Sequence, residues 1–180
     1  MSVRRQWIVL GALAVVACGA LVAVTRSGDG ASGIVTAGSP APPFTAKTLD
    51  TLPRLKTLDA YRGQVLLLNL WATWCEPCEI EMPSIEALYR DYASKGLNVV
   101  AVSTDDPGFE DRVRTWVARH GLTFEILNEG SGKIERDYQA LGLPATYLIG
   151  RDGIIRKRIA GASDWSSPSN RALVAQLLEP

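Results

Sequence analysis

Apolar residues in the central part of the chain follow the spacing of alternating strands and helices. Residues 65–70 and 97–103 are almost continuously apolar, which is typical of strands buried on both faces. Between them, residues 77–94 carry apolar side chains at helical spacing, with Pro77 in the first turn and Gly96 after the last. The order strand, helix, strand predicts a βαβ unit with parallel strands.

The C-terminal half continues this alternation. Two strand patterns, over residues 145–149 and 154–159, flank the sequence Arg151-Asp152-Gly153, and Asp-Gly is a common hairpin turn. The remaining predicted elements are a strand over residues 124–127 and helices over residues 109–119, 132–141 and 167–178. Together these elements predict an α/β fold with a central mixed β-sheet flanked by helices.

The first 26 residues have a different character. Residues 7–24 contain no charge, and their length is at the lower limit for crossing a membrane. Arg4 and Arg5 precede this stretch and Arg26 follows it, a charge pattern that places the N-terminus inside the cell. We therefore expect residues 1–26 to form a signal anchor in a bacterial cytoplasmic membrane, with the rest of the chain on the periplasmic face.

Two other fates of this segment stay open. Val15-Val16-Ala17-Cys18 resembles a bacterial lipobox, in which Cys18 would carry the lipid. Alternatively, the chain would be cleaved near Ala17 or Ala20. The apolar residues that continue to position 24 favour the uncleaved anchor.

A linker is predicted after the anchor. Residues 27–39 contain four glycines and three serines, a composition that is typical of flexible segments. Three prolines at positions 40, 42 and 43 then stiffen the chain. The predicted organisation is therefore an anchor over residues 1–26, a linker over residues 27–39 and one folded domain over residues 40–180.

Composition excludes several classes of function. The 180 residues are 47% hydrophobic and 21% charged, values close to those of globular proteins. Because 19 basic and 19 acidic residues cancel, no basic surface charge supports a nucleic-acid partner. A single histidine, His120, excludes a multi-histidine metal site within one chain, and three cysteines are too few for a disulfide framework.

The chemistry of the chain is expected at Cys75-Glu76-Pro77-Cys78. The two cysteines lie where the first buried strand meets the following helix, so Cys75 would sit at the helix N-terminus. Free backbone N–H groups and the helix dipole favour an anion there, and the thiolate is the reactive form of cysteine. We expect Cys75 to attack a disulfide and Cys78, one turn further, to resolve the mixed disulfide.

Two other interpretations of the cysteine pair are weaker. A purely structural disulfide would close a very short loop and add little stability on entropic grounds. A zinc site would need a second pair of ligands, which the chain supplies only by dimerisation.

Two stretches carry a resemblance to a known family. Leu70-Trp71-Ala72-Thr73-Trp74-Cys75-Glu76-Pro77-Cys78, followed by Glu81-Met82-Pro83, resembles the thioredoxin superfamily. Gly142-Leu143-Pro144-Ala145-Thr146-Tyr147-Leu148-Ile149 is similar to the proline loop of its membrane-tethered bacterial TlpA/ResA/CcmG group. The resemblance covers about residues 40–178 and implies a thioredoxin-like fold.

The resemblance also implies a substrate-binding surface. Trp74 would pack beside Cys75 and shape that surface. A cis Leu143–Pro144 bond would face the cysteines and leave the backbone of Leu143 free to pair with an incoming peptide. Without the resemblance, Pro144 is interpreted as an ordinary proline at the entry of a strand.

Glu81 is a further candidate catalytic residue. By spacing alone a helical glutamate is most often solvated, but the resemblance implies a functional glutamate at this position. Glu81 would accept or donate the proton of the Cys78 thiol. Thioredoxins carry a buried aspartate where this chain has Asn69, which cannot take a proton at neutral pH. Glu76 opposes a nearby thiolate and favours a reducing protein.

The function expected from the resemblance is an exported thiol–disulfide oxidoreductase that needs neither cofactor nor metal. Its clients would be the cysteine pair of an apocytochrome c or the copper site of an oxidase or its chaperone. A transmembrane electron-donor protein would restore the reduced state. The residue three before Cys75 is Ala72, where a peroxiredoxin peroxidase needs threonine, so peroxide chemistry is not expected.

Two alternative functions stay open. A copper chaperone would use Cys75 and Cys78 as soft ligands, with His120 as the third. A disulfide-forming oxidant would use the same scaffold with a more stable thiolate. The acidic Glu76, and the absence of histidine between the cysteines, favour the reductant over this oxidant.

Overall fold

A computed structural model describes residues 33–179. The predicted anchor, including Ala17, Cys18 and Ala20, therefore lies outside the described residues, as do residues 27–32 of the predicted linker. Over residues 33–179, none of the helices is both long and apolar enough to cross a membrane.

One mixed sheet organises the described part of the chain. Its strands are β1 (Thr45–Thr48), β2 (Leu55–Thr57), β3 (Val65–Trp71), β4 (Leu97–Ser103), β5 (Glu125–Asn128), β6 (Ala145–Ile149) and β7 (Ile155–Ala160). They lie in the order β2-β1-β5-β4-β3-β6-β7. The central pairs β3–β4 and β4–β5 are parallel, and the outer pairs are antiparallel. The predicted mixed sheet is confirmed.

Helices join the strands and cover the sheet. They are α1 (Glu76–Tyr92), α2 (Glu110–His120), α3 (Lys133–Asp137) and α4 (Pro168–Leu178), with short 3-10 turns at Leu58–Tyr61 and Ala93–Lys95. Glycines end two of these segments, because Gly96 and Gly121 adopt left-handed backbone angles with φ of 101° and 62°. Such angles strain residues that carry a Cβ atom.

Two hydrophobic cores lie against the sheet. The first contains apolar side chains of α1, α2 and α4, including Met82, Trp116 and Val174. The second contains side chains of the N-terminal segment and α3, such as Phe44 and Ile134. The helices therefore flank the sheet as predicted.

The alternation of side chains along β3 decides which residues reach the first core. Successive strand residues point to opposite faces of a sheet. Val65, Leu67 and Trp71 belong to the first core, so Asn69 faces the same side. Thr146 lies directly opposite Asn69 on β6 and faces the same side too, because its neighbour two residues on, Leu148, belongs to the first core. Two polar residues thus meet under α1.

The structure departs from the sequence-based predictions at several elements. The antiparallel pair β1–β2 is absent from those predictions, since its strands have only four and three residues. Helix α3, predicted over residues 132–141, ends at Asp137.

The burial of two residues also differs from the prediction. The helical spacing of apolar residues places Ile80 on the buried face of α1, but Ile80 is 71% exposed. Val35, in the predicted linker, is buried, and Gly38 donates a backbone hydrogen bond to Ile155.

Hydrogen bonds of Glu86 connect α1 to the segment before β5. Its side chain is 10% exposed and accepts hydrogen bonds from the Thr123 amide (2.8 Å), the Thr123 hydroxyl (2.7 Å) and Arg90 (2.5 Å). Desolvation raises the pKa of Glu86, but these hydrogen bonds outweigh it, and the pKa lies below its ordinary value of 4.5. The ionised form therefore stabilises the fold above about pH 4.5.

We expect Glu86→Gln to lower the free energy of unfolding by about 1–2 kcal/mol at pH 7, because it removes charge from three hydrogen bonds. The difference from the parent protein should vanish as the pH falls through the lowered pKa of Glu86. Urea titrations at several pH values measure both effects. Asp50→Asn is the matched control, since Asp50 and Arg54 form an exposed pair of the same spacing. An equal decrease in the free energy of unfolding in both variants would contradict this prediction.

Candidate active site

The two cysteines form a disulfide at the start of α1. Cys75 is the N-cap residue, and its sulfur accepts a hydrogen bond from the Cys78 amide at 3.2 Å. The S–S distance is 1.99 Å and the Cα atoms are 5.3 Å apart. Cys75 is 6% exposed, whereas Cys78 is fully buried. Solvent, and therefore a partner protein, reaches only the first cysteine.

The turn before Cys75 is held by a buried carboxylate. Asp105 follows β4 and accepts hydrogen bonds from the Thr73 amide (2.9 Å) and the Thr73 hydroxyl (2.5 Å). The hydroxyl of Ser103 also donates to Asp105 at 2.8 Å, and the Asn128 amide group donates to the Asp105 carbonyl at 3.0 Å. These contacts tie the cysteine turn to the ends of β4 and β5.

Glu81 lies in the interior, one turn after Cys78. It is 1% exposed, and one carboxylate oxygen accepts hydrogen bonds from the Trp165 indole (2.8 Å) and the Ser163 amide (3.2 Å). The other oxygen accepts one from the Asn69 side chain at 3.0 Å. Thr146 contacts both oxygens at 3.5 Å. Asn69 and Thr146 are the two polar residues that the sheet register brings together under α1.

Burial controls the protonation of Glu81. Desolvation raises the pKa of Glu81 from 4.5 to about 7, and the hydrogen bonds from Trp165, Ser163, Asn69 and Thr146 offset part of this effect. Over residues 33–179 no salt bridge involves Glu81. A carboxyl group in this environment exchanges a proton near neutral pH.

The predicted substrate-binding residues lie beside the cysteines in the sequence or in the sheet. Trp74 precedes Cys75 and is 65% exposed. The Leu143–Pro144 bond is cis, and β6 begins at the next residue, opposite the end of β3. Leu143 packs partly against the core cluster that includes both cysteines. Within residues 33–179, its backbone N–H and C=O have no hydrogen-bond partner.

His120 is engaged elsewhere. One ring nitrogen lies 2.8 Å from the Trp116 carbonyl and the other lies 2.9 Å from the Glu79 carboxylate. The ring stacks on Trp116 with centroids 3.7 Å apart. In the part of the chain that the structure describes, no group of three or more His, Cys, Asp or Glu side chains is arranged to hold a metal ion.

Sequence reasoning missed part of this site. The burial of Glu81 had a signal, because Cys78, Met82 and Ile85 place position 81 on the apolar stripe of α1. The contacts of Trp165 and Thr146 with Glu81 had no such signal in the sequence, since these residues are 84 and 65 positions away from Glu81.

Comparison with known proteins agrees with this geometry. The sequence profile of the AhpC/TSA family matches residues 37–158. The chain is 38% identical over 127 residues to the thiol-disulfide oxidoreductase ResA of Geobacillus thermodenitrificans. This alignment covers 71% of each protein. It is 42% identical over 120 residues to the thioredoxin-like protein YneN of Bacillus subtilis, covering 66% of this chain and 68% of that protein.

A solved structure supports the same assignment. A crystal structure from Chlorobium tepidum that carries the name thiol:disulfide interchange protein DsbE superposes with a TM-score of 0.66 and 27% identity. The match covers 80% of this chain and 96% of that one. The fold is therefore thioredoxin-like. Because the family profile spans more than half of the sequence, the chain belongs to the AhpC/TSA family, and it is a thioredoxin-like thiol–disulfide oxidoreductase of the ResA type.

Proposed function

We propose that this protein is an exported reductant that opens disulfides in client proteins, with Cys75 as the attacking and Cys78 as the resolving residue. The observation that carries this proposal is the unequal exposure of the two cysteines, since 6% of the surface of Cys75 is accessible and none of Cys78 is. Only an accessible thiolate reaches the disulfide of another protein. The buried thiol then acts within the complex.

The first step forms a mixed disulfide. The Cys75 thiolate attacks one sulfur of the client disulfide, and the other client sulfur leaves as a thiolate and takes a proton from water. The N-cap position favours this thiolate, because it lies at the positive end of the helix dipole and the Cys78 amide donates to the Cys75 sulfur at 3.2 Å.

The second step releases the client. Glu81 accepts the proton of the Cys78 thiol, and the resulting thiolate attacks the Cys75 sulfur. The remaining client sulfur leaves as a thiolate and is protonated. Two electrons have then passed to the client, and the protein holds the Cys75–Cys78 disulfide that the structure contains.

Client recognition uses the surface around Cys75. The exposed indole of Trp74 offers an apolar contact, and the unpaired backbone groups of Leu143 offer hydrogen bonds to an extended client segment. Pro144 is held in place, since its carbonyl accepts a hydrogen bond from the Gly161 amide at 2.8 Å. A client would thus bind by main-chain pairing, which suits clients of varied sequence.

The cellular setting follows from the N-terminal sequence and the chemistry of oxidising compartments. Residues 1–26 would anchor the chain with its domain outside the cytoplasm. Thiols that must bind haem or copper become oxidised there and need a dedicated reductant. We therefore place the clients among apocytochromes c and copper-site proteins, and assign re-reduction to a transmembrane electron-donor protein.

The balance of charges favours a reductant over an oxidant. Thiol–disulfide oxidoreductases that are strong oxidants have a reduced form that is stabilised as the thiolate. Here Glu76 stands in the first turn of α1, directly after Cys75, and its charge opposes the thiolate.

The reduction potential of the full-length protein tests the direction of transfer. We expect equilibration with glutathione or dithiothreitol to give a value near or below about −220 mV. Mass spectrometry of alkylated thiols measures the reduced fraction at each ratio of reagent. A potential near about −120 mV would assign the protein to the disulfide donors instead.

Client trapping tests the roles of the two sulfurs. Cys78→Ala should accumulate mixed disulfides through Cys75, because the resolving thiol is missing. Non-reducing electrophoresis of cells that express the variant detects these adducts, and mass spectrometry identifies the clients. The control is Cys75→Ala, which should trap nothing, since Cys78 is fully buried. Equal trapping by both variants would reverse the assignment.

The role of Glu81 is tested by the pH dependence of client release. In the parent protein the rate should rise as Glu81 loses its proton around pH 7. Glu81→Gln should slow release by about 10²-fold and abolish this rise, because glutamine accepts no proton. Stopped-flow reduction of a disulfide peptide measures the profile. Glu135→Gln is the matched control, since burial also raises the pKa of Glu135 on the distant α3. An unchanged profile in Glu81→Gln would exclude this role.

A further inference from the structure

The connection between β7 and α4, residues 161–167, enters the buried environment of Glu81. Trp165 is fully buried, and its indole N–H donates to the Glu81 carboxylate at 2.8 Å. The backbone amide of Ser163 donates to the same oxygen at 3.2 Å. One segment, which lies far from the cysteines in the sequence, thus supplies the two shorter hydrogen bonds to one oxygen of the carboxylate.

The same connection is fixed to its surroundings. The Trp165 amide donates to the Ser84 hydroxyl at 3.0 Å, and that hydroxyl donates to the backbone carbonyl of Glu81 at 2.8 Å. The Asn170 side chain, on α4, donates to the carbonyl of Asp164 at 2.7 Å. The donors therefore stand in place before any proton moves, and the indole does not need to reorient.

The groups that donate hydrogen bonds to Glu81 are all neutral. They are Trp165 and Ser163 from the connection, Asn69 from β3 and Thr146 from β6. On its own helix, the nearest titratable residue towards the N-terminus on the same face is Cys78. Because no cation neutralises Glu81 within residues 33–179, hydrogen bonds must stabilise its ionised form. The indole makes the shortest of them, so its contribution should be the largest.

We propose that Trp165 is a positioning residue for thiol–disulfide exchange: its indole N–H holds the Glu81 carboxylate and favours the ionised form that accepts the Cys78 proton. This inference rests on the proposed role of Glu81. In the step concerned, the proton passes from the Cys78 sulfur to Glu81. The Cys78 thiolate then forms the bond to Cys75 while the client sulfur leaves with its electron pair and takes a proton.

Trp165→Phe tests the proposal because it removes the donor and retains an aromatic ring. In the oxidised full-length protein the cysteines do not titrate, so ¹³C NMR of the Glu81 carboxyl group reports Glu81 alone. We expect the midpoint of this signal to rise by about one pH unit in the variant. The midpoint of client release should rise by the same amount. Trp116→Phe makes a similar change in the same core and should move neither midpoint.

The outcomes separate this inference from the proposed function. An unchanged Glu81 midpoint in Trp165→Phe would overturn the inference and leave the role of Glu81 intact. A shifted Glu81 midpoint with an unchanged profile of client release would overturn both, because Glu81 would then not be the proton acceptor. In a Glu81→Gln background, Trp165→Phe should cause no further change in the pH profile. A further change there would mean that Trp165 acts independently of Glu81.

A second measurement needs no substitution of Trp165. The ¹⁵N–¹H signal of the Trp165 indole in the parent protein should shift with pH at the same midpoint as the Glu81 carboxyl signal. The shift should disappear in Glu81→Gln. An indole signal that does not change with pH would refute the contact between the two groups, even if Trp165→Phe failed to fold.

Discussion

The burial of one carboxyl group, that of Glu81, is the physical constraint on which the arrangement of this site depends. Moving its pKa from 4.5 to about 7 corresponds to ~3 kcal/mol of disfavoured ionisation. Full burial without hydrogen bonds would disfavour ionisation further, and the carboxyl group would stay protonated at neutral pH. The indole of Trp165, the amide of Ser163 and the side chain of Asn69 limit that effect. The site therefore depends on neutral donors that partly compensate desolvation.

The sheet places those donors by its geometry. The two-residue period of β3 turns Asn69 to the side of α1, and the antiparallel register with β6 sets Thr146 opposite it. A shift of one residue in this register would turn either side chain to the other core. The same strand leads into the cysteine turn, which Asp105 fixes through Thr73. One strand, β3, thus leads to Cys75 and also supplies a donor to Glu81.

The sequence predicted the elements that a local pattern of residues determines. It did not predict the contacts between residues that are distant in the chain. The apolar run of β3 and the helical spacing after it located the cysteine pair, because both signals lie within a few residues. The short β1–β2 pair lacked any such run. The importance of Glu81 came from a resemblance, although its place on the apolar face of α1 was visible. Trp165 could not have been assigned, since its contact depends on how the β7–α4 connection packs.

A carboxyl group with a pKa of about 7 serves exchange in both directions. Near neutral pH it is present in both protonation states, so in the proposed reaction it would accept the Cys78 proton during client release and return it when the disulfide is reduced again. In that role Glu81 would lower the barrier to exchange without deciding the direction of electron flow. The direction must come from the relative stability of the thiolate and disulfide states at Cys75, where the charge of Glu76 acts. The proposed mechanism thus assigns the rate and the direction of exchange to two glutamates five residues apart, one buried and one exposed.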